Sequence, residues 1–154
     1  KIFLSNLPRV KDVETMIRRL ETPPISLPPS LVETLDAVCV MAQTKINGQE
    51  VRRLKSVTEI LKVGQQVGSL EKNVPFVWDP KTDQFFFKKQ SALFQKLQRE
   101  FGMDEKSIQK EFQRRTTLLW TLYKKGISGY SEVQKIISAY SKTPNEVLRR
   151  FNIP

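Results

Sequence analysis

The first helical pattern along the chain is a set of four hydrophobic residues spaced as one helix face. They recur at i, i+3, i+4 and i+7, as in an amphipathic helix, and they are Val13, Met16, Ile17 and Leu20. Asp12 directly before them is a suitable N-cap, so a helix over 12–20 is predicted. Pro23 and Pro24 end this helix, because neither can donate a backbone hydrogen bond. A short apolar run at 2–4 predicts a buried strand ahead of it.

Two longer apolar runs, at 36–46 and 51–63, lie on either side of Asn47-Gly48. This dipeptide supplies the positive φ angles of a tight hairpin turn, so the two runs are predicted to pair as strands. The first run is continuously apolar in its centre, which is typical of a strand buried on both faces. The second alternates imperfectly around Arg52-Arg53, which predicts a bulge or an edge position there.

A second hairpin is predicted over 74–88, after a polar, glycine-containing linker at 64–73. Two apolar stretches of this hairpin flank a loop that starts at Asp79 and ends at Asp83. Both aspartates are residues that favour turns, and we interpret them as turn-forming groups and not as a catalytic carboxylate pair.

From residue 89 to residue 154 the hydrophobic spacing is helical, and a bundle of about four helices is predicted. The predicted starts and ends are Gly102, Asp104, Gly126, the capping box Ser131/Gln134 and the capping box Thr143/Glu146. The predicted apolar faces consist of Leu93, Phe94, Leu97 and Phe101, then Ile108, Phe112, Leu119 and Leu122, then Ile136, Ile137 and Tyr140, and last Val147, Leu148 and Phe151. The fold class predicted is therefore α+β, with two hairpins followed by a C-terminal helical bundle.

The net charge of +10 is concentrated in the second half of the chain. Residues 1–70 carry ten Lys/Arg against seven Asp/Glu, and residues 71–154 carry sixteen against nine. A basic surface favours nucleic acid, anionic lipid or an acidic protein as partner. The basic residues are mostly scattered pairs with acids between them, however, so an ordinary solvated surface is an equally good interpretation.

The residue types exclude most catalytic chemistry. There is no histidine, which removes histidine acid–base catalysis, Ser-His and Cys-His nucleophiles and nearly all zinc sites. The six glycines are dispersed and form no phosphate-binding loop. The single cysteine, Cys39, cannot form an internal disulfide and is predicted to be a small buried apolar residue. No catalytic residue and no metal site is predicted.

The sequence has neither a long apolar stretch nor a charged-then-apolar leader. Neither a membrane span nor a secretory signal is predicted, and a cytoplasmic location is expected. The first residue is Lys1 and not methionine, which is compatible with a fragment of a longer protein.

Several segments, taken in order, resemble the C-terminal part of the archaeal secretion-type motor ATPases. This group contains the archaellum motor ATPase and its relatives in type II and type IV secretion and pilus assembly. The segments of the first half are Arg18-Arg19-Leu20-Glu21-Thr22-Pro23-Pro24-Ile25, Leu35-Asp36-Ala37-Val38, and Arg52-Arg53-Leu54 leading to Thr58-Glu59-Ile60. Those of the second half are Phe76-Val77-Trp78-Asp79-Pro80-Lys81-Thr82-Asp83, Arg114-Arg115, Tyr140 and Leu148. The resemblance runs from about Asp12 to Phe151.

The resemblance implies that residues 1–63 are the terminal strands of a RecA-like core in a hexameric ATPase. In that family a Walker A loop and a Walker B segment hold ATP and Mg upstream of the matched region, so this chain alone is expected to bind no cofactor. Counting back from Arg19-Leu20, a family histidine falls near 7–10, where Arg9 stands. Either the first ten residues belong to a different context, or the position that senses the γ-phosphate is altered.

The candidate residues for a nucleotide or a subunit interface are Arg9, Arg18, Arg19, Arg52, Arg53 and Glu59. Guanidinium groups suit both phosphate and carboxylate, although two of the four arginines at 18, 19, 52 and 53 are equally well explained as surface cover. Glu59 is a candidate partner for one of them across the sheet. The aromatic residues Trp78, Phe85, Phe86, Phe87 and Trp120 are interpreted first as packing between hairpin and bundle, with a platform for bases as the alternative.

Two functions remain open at the level of the sequence. The first is a C-terminal segment of a motor ATPase that transmits nucleotide-driven motion. Its partners would be the upstream Walker-containing portion or neighbouring subunits, and a platform protein at the cytoplasmic face of the membrane. The alternative is a free-standing basic helical module that binds nucleic acid or an acidic protein.

Overall fold

The computed structural model of the chain describes residues 12–88 and 90–154. The chain divides into two compact units, the first ending at Lys96 and the second beginning at Leu97. The elements in chain order are α1 (Val13–Glu21), α2 (Pro29–Val32), β1 (Ala37–Ile46), β2 (Gln49–Val63), β3 (Leu70–Asp79), β4 (Gln84–Phe87), α3 (Ala92–Phe101), α4 (Glu105–Lys124), α5 (Tyr130–Lys142) and α6 (Pro144–Arg150). The strand predicted at 2–4 lies outside the described residues.

The predicted first helix is confirmed as α1. The Asp12 carboxylate accepts a hydrogen bond from the Thr15 N–H at 2.7 Å, and hydrogen bonding to Thr15 lowers the pKa of Asp12. The helix ends at Glu21, ahead of the two prolines. Its apolar face is part of the core of the first unit, which consists of Val13, Met16, Ile17, Leu20, Val32, Leu35 and Val63.

The four strands form one antiparallel sheet in the order β1-β2-β3-β4. The predicted hairpin turn is confirmed, since Asn47 and Gly48 have φ values of 50° and 79°. Of the two alternatives predicted at Arg52-Arg53, the edge position is confirmed, and the bulge lies at Lys55 instead. Arg52 and Arg53 keep a regular register with β1, and β3 pairs with β2 from Ser56 onward. The two arginines therefore lie in the two-stranded end of the β1–β2 hairpin.

The prediction that the first strand is buried on both faces is wrong. The residues of β1 alternate between half-buried and exposed, and Met41 is 60% exposed. Cys39 is also exposed, which corrects its assignment as a buried residue. The physical reason is that β1 is an edge strand with a core on one face only, where Val38 and Val40 pack. A continuous apolar run does not by itself show burial of both faces.

The predicted linker at 64–73 is shorter than its composition suggests. Leu70 already begins β3 and packs against the core, so the connection covers 64–69. The Gly64 N–H donates to the Ser69 carbonyl at 2.7 Å and closes a turn. Lys72, assigned to the linker by its polarity, lies on the sheet and pairs with Glu14 of α1.

The second unit has its own core, made of residues from three helices and the C-terminal turn: Leu118, Leu122, Ile136, Tyr140, Val147, Leu148, Phe151 and Ile153. α4 begins at its predicted cap, where the Asp104 carboxylate accepts from the Ser107 N–H at 2.8 Å. Gly126 follows the helix with a φ of 69°, a conformation that favours glycine.

The predicted apolar faces of α3 and α4 are correct only in part. Phe101 of α3 and Phe112 of α4 are 70% and 36% exposed, and the core face of α4 is displaced by one position at its C-terminal half. Leu118 is 3% exposed whereas Leu119 is 52% exposed. Apolar residues stand on both flanks of this face, so the spacing alone could not choose between two adjacent leucines. The third predicted face is narrower than expected for a similar reason, because Ile137 is 46% exposed beside the buried Ile136.

Neither predicted capping box forms. α5 begins at Tyr130 with Gly129 as its N-cap, one position ahead of Ser131. Thr143 is both the C-cap of α5 and the N-cap of α6, and its hydroxyl donates back to the Ala139 carbonyl at 3.4 Å. The side chain that was expected to cap α6 is thus engaged by the preceding helix.

The α+β class is confirmed, and the sheet is an antiparallel meander with α1 against it. A RecA-like core remains a prediction. Within the described residues, no helix combines the length and the apolar content needed to cross a membrane.

Candidate functional site

Glu59, a predicted interface residue, is one of the most buried charged residues of the first unit. It lies on β2 with 2% of its surface exposed. Its carboxylate accepts hydrogen bonds from the Ser91 hydroxyl, from Asn73 Nδ2 at 2.8 Å and from the Ala92 N–H at 2.7 Å. The hypothesis that it pairs with an arginine across the sheet is therefore wrong, because its acceptor positions face the start of α3.

Glu59 acts as a side-chain cap for a helix that begins more than thirty positions later in the chain. The first N–H groups of a helix have no partner within it, and a carboxylate there also interacts favourably with the helix dipole. The Leu93 N–H points at the same carboxylate at 3.4 Å, and Ser91 Oγ accepts from the Phe94 N–H at 3.3 Å. The sheet, Ser91 and the first turn of α3 are thus joined by one hydrogen-bonded cluster.

The anchored helix continues across the division of the chain. α3 starts at Ala92 in the first unit, and its residues from Leu97 onward belong to the second. Lys96 Nζ forms an ion pair with Asp36 Oδ1 at 2.8 Å, which is a second attachment of α3 within the first unit. The segment that leads into the second unit is therefore held by β2 at its N-terminus.

Arg53 forms a second cluster at the far end of β2. Its Nε and Nη2 atoms donate to the two carboxylate oxygens of Asp83 at 2.8 and 2.9 Å, in a bidentate ion pair. Trp78 Nε1 donates to the same carboxylate at 2.8 Å. These bonds, chiefly the one from Arg53, lower the pKa of Asp83 to about 2, and the bond to Asp83 raises the pKa of Arg53.

The Asp79–Asp83 loop is explained by turn chemistry, as predicted. Asp79 accepts from the Lys81 N–H at 3.0 Å and from the Thr82 hydroxyl at 2.8 Å, and these bonds lower its pKa. Asp83 takes a positive φ of 53°, which aspartate tolerates in turns. The loop holds Asp83 where the β1–β2 hairpin presents Arg53.

The other candidate arginines do not join this cluster. Arg52, Arg18 and Arg19 are exposed, and Arg18 lies against the backbone of Gly68, where an added Cβ would be 3.1 Å from its Cβ and Nε atoms. Arg53 lies near the start of β2, and Gly68 follows the other end of that strand. From Arg53 to Val63 the strand extends over ten residues, or about 30 Å. The two arginine pairs therefore cannot form one anion site within this chain. Arg9 lies outside the described residues.

The aromatic residues that were considered as a platform for bases do not form one exposed surface. Trp78 is 6% exposed and packed, and Phe87 stacks on Phe76 with ring centroids 4.4 Å apart. Phe85 and Phe86 are 57% and 51% exposed on β4. The first unit thus uses the buried rings for packing, and only two adjacent phenylalanines of the predicted set are open to solvent there.

A polar cluster in the second unit was not predicted. The Tyr140 hydroxyl lies 3.2 and 3.1 Å from the two carboxylate oxygens of Glu111, and Arg115 Nε donates to Glu111 Oε1 at 2.8 Å. Burial, and then the Glu111 charge, raise the pKa of Tyr140. The i, i+4 spacing of Glu111 and Arg115 could have predicted their ion pair. No local pattern could have predicted that Tyr140 joins them.

In the described part of the chain, no group of three or more histidine, cysteine, aspartate or glutamate side chains could hold a metal ion. The carboxylates of Glu59 and Asp83 each accept several internal hydrogen bonds. Their arrangement suits positioning of chain segments and not proton transfer to a substrate.

Residues 81–153 match the family model described as PilB3-like, C-terminal. Among the similar relatives are two uncharacterized proteins of Methanocaldococcus jannaschii. MJ1287 is 33% identical over 114 residues, which cover 74% of this chain and 42% of the relative. MJ0900 is 26% identical over 133 residues, which cover 84% of this chain and 24% of the relative. The chain thus spans less than half the length of these curated relatives.

The family match begins within the β3–β4 turn and runs almost to the end of the chain. It includes Asp83, the whole of α3 and the second unit. The match supports the coarser part of the resemblance, namely a relation to the C-terminal region of pilus and secretion ATPases. The archaellum branch, the hexamer and the binding of ATP stay predictions.

Proposed function

We propose that this chain is the C-terminal segment of a pilus or secretion motor ATPase and that it transmits nucleotide-driven motion through α3. The observation that carries this proposal is the capping of α3 by Glu59 of β2. The match of residues 81–153 to a PilB3-like C-terminal region supports the class of protein.

The capping cluster gives the proposed transmission a physical basis. A carboxylate that accepts several hydrogen bonds in a buried site is expensive to displace, since each donor left without a partner costs about 1–3 kcal/mol. Movement of β2 would therefore carry the first turn of α3 with it. α3 is the segment through which the chain passes from the first unit to the second.

ATP and Mg would be held by the upstream Walker-containing portion of the same protein or by neighbouring subunits of a hexamer. The exposed arginines Arg18, Arg19 and Arg52, together with Arg9, are the proposed contacts to those subunits or to phosphates. Arg53 has a different proposed role, since its guanidinium already binds Asp83. The second unit would act on a platform protein at the cytoplasmic face of the membrane.

The test compares this chain with the longer protein that includes the reading frame upstream of Lys1. We expect no ATP hydrolysis by the 154-residue chain, and hydrolysis once a Walker-containing portion is present in the same protein or added in trans. Association of the two parts is measured by analytical ultracentrifugation. Hydrolysis of ATP by the isolated chain, or an upstream frame without a Walker loop, would overturn the proposal.

A Glu59→Gln variant of the longer protein tests transmission separately from hydrolysis. Because Glu59 touches no proposed nucleotide site, ATP hydrolysis should persist. The motor output, which is the movement transmitted to partner proteins, should fall. A matched control is Glu50→Gln on the same strand, where the carboxylate is exposed. Equal motor output from both variants would contradict the role of the capping cluster.

A further inference from the structure

α4 carries a second apolar surface that its own core does not use. Leu119, Trp120 and Tyr123 are 52%, 55% and 73% exposed, although the same helix buries Leu118 and Leu122 on another side. Trp120 and Tyr123 stack with ring centroids 5.4 Å apart. Grouped exposed aromatic and aliphatic side chains of this kind are typical of binding surfaces, where tryptophan and tyrosine often contribute most of the affinity.

The surface contains a concavity of about 270 Å³ at the C-terminal end of α4. Its apolar lining comes from Leu119, Leu122, Tyr123, Ile127 and Val133. The Ile127 N–H donates to the Leu122 carbonyl and the Gly126 N–H to the Tyr123 carbonyl, both at 3.0 Å. This pattern closes the helix end in a fixed geometry, which places Ile127 beside Leu122. The backbone therefore fixes one wall of the concavity, whose volume is enough for one apolar side chain.

The charges beside the concavity are mainly positive. Lys124 and Lys125 directly follow Tyr123 in the chain, and the acid Glu132 directly precedes Val133. Lys124 Nζ lies 5.4 Å from the centre of the Trp120 ring, so one of these charges is held next to the exposed rings. A partner with carboxylates around an apolar residue would match both the shape and the charge.

We infer that this surface, defined by Leu119, Trp120, Tyr123 and the concavity beside them, binds an acidic amphipathic helix of another protein. One leucine or phenylalanine of that helix would fill the concavity, and its carboxylates would face Lys124 and Lys125. Insertion of helix side chains into an apolar groove is a recurrent mode of peptide recognition. Such binding would not require the chain to be part of a motor ATPase.

Two other occupants fit less well. A second copy of the same surface would bring the lysines of one chain against those of the other, and like charges across an interface oppose association. Single-stranded nucleic acid would need open ring faces for stacking. Here the stack of Trp120 on Tyr123 occupies one face of each ring, Lys124 lies beside the Trp120 ring, and the concavity next to them is largely aliphatic.

The test uses the full 154-residue chain and three labelled probes of similar length. The first probe is a capped helical peptide with leucine and phenylalanine on one face and glutamate on the other. The second is the same peptide with lysine in place of glutamate, and the third is a single-stranded oligothymidine. Binding is followed by fluorescence anisotropy of the label at about 0.1 M salt.

We expect the acidic peptide to bind at least about tenfold more tightly than the basic one. Leu119→Ser should weaken binding of the acidic peptide about tenfold, as should the double change Lys124→Glu with Lys125→Glu. Ile137→Ser is the matched control, because Ile137 is an exposed apolar residue that does not line the concavity. Circular dichroism checks that each variant remains helical.

Three results would overturn the inference. They are failure of the acidic peptide to bind at millimolar concentration, equal binding of the acidic and basic peptides, and equal loss of binding in Leu119→Ser and Ile137→Ser. Tight binding of oligothymidine that Leu119→Ser abolishes would assign the surface to nucleic acid instead. Concentration-dependent dimerisation that is lost in Leu119→Ser would assign it to a second copy.

Discussion

Glu59 on β2 accepts a hydrogen bond from the hydroxyl of Ser91, thirty-two residues later in the chain and directly before α3. The same carboxylate accepts from the Ala92 N–H. One strand of the sheet therefore supplies the cap of a helix to which it is not adjacent in sequence. The consequences of this contact can be measured without any knowledge of the partner proteins.

Replacing Glu59 should destabilise the first unit. Glu59→Ala leaves several buried donors without a partner, each at a cost of about 1–3 kcal/mol, so we expect a loss of about 3 kcal/mol or more in the free energy of unfolding. Glu59→Gln keeps the volume and one carbonyl oxygen and should lose less than half as much. Urea unfolding in a Trp120→Phe background measures this, because the remaining Trp78 lies in the first unit.

Hydrogen exchange identifies where the loss arises. In Glu59→Ala the N–H groups of Ala92 and Leu93 should exchange faster, while those in the middle of α5 should not. The exposed Glu50→Ala on the same strand is the control and should stay within about 0.5 kcal/mol of the parent. Unchanged exchange at Ala92 in Glu59→Ala would show that the carboxylate does not cap α3.

The ion pair of Arg53 and Asp83 predicts a change of stability in acid. The folded state lowers the pKa of Asp83 to about 2, whereas an unfolded aspartate titrates near 3.9. The contribution of the ionised carboxylate is therefore present above about pH 4 and is lost as the pH falls towards about 2. Asp83→Asn removes this dependence.

Urea unfolding of the parent and of Asp83→Asn at several pH values measures the effect. We expect a constant difference in the free energy of unfolding above about pH 5 and a shrinking difference below about pH 4. The same comparison is made in an Arg53→Gln background. There the difference in the free energy of unfolding caused by Asp83→Asn should depend much less on pH. A difference that stays constant down to pH 2 would mean that the pKa of Asp83 is not lowered.

The adjacent leucines of α4 offer a matched pair of substitutions. Leu118→Ala removes a side chain that is 3% exposed and should cost about 2–5 kcal/mol. Leu119→Ala removes one that is 52% exposed and should cost about 0.5 kcal/mol or less. Thermal unfolding followed by circular dichroism compares the two variants. A larger loss of stability in Leu119→Ala than in Leu118→Ala would place Leu119 in the core, as spacing alone predicted.

The elements that local signals define were predictable from the sequence. Asp12 and Asp104 cap the helices they precede, and the Asn47-Gly48 turn forms because its residues tolerate positive φ values. Each of these depends on residues within a few positions of one another. The same holds for Gly126, whose φ of 69° ends α4.

Features set by distant parts of the chain were not predictable. Cys39 is exposed because β1 is an edge strand, and no local pattern states where a strand lies in its sheet. The partners of Glu59 were not predictable, because Ser91 and Asn73 come together with it only in the folded chain. For the candidate site, the sequence therefore did not indicate which contacts its residues make.

The last prediction concerns the cluster of Tyr140, Glu111 and Arg115 in the second unit. Tyr140→Phe keeps the buried ring but removes the hydroxyl that lies 3.1 Å from a Glu111 carboxylate oxygen, so we expect a loss of about 1 kcal/mol. Because the folded state raises the pKa of Tyr140, its contribution is complete below about pH 10, the pKa of an unfolded tyrosine, and falls as the pH rises further. Tyr130→Phe is the control, because the Tyr130 ring is exposed. It should change neither the free energy of unfolding nor its dependence on pH. Equal stabilities of Tyr140→Phe and the parent at pH 7 would show that the bond to Glu111 contributes nothing.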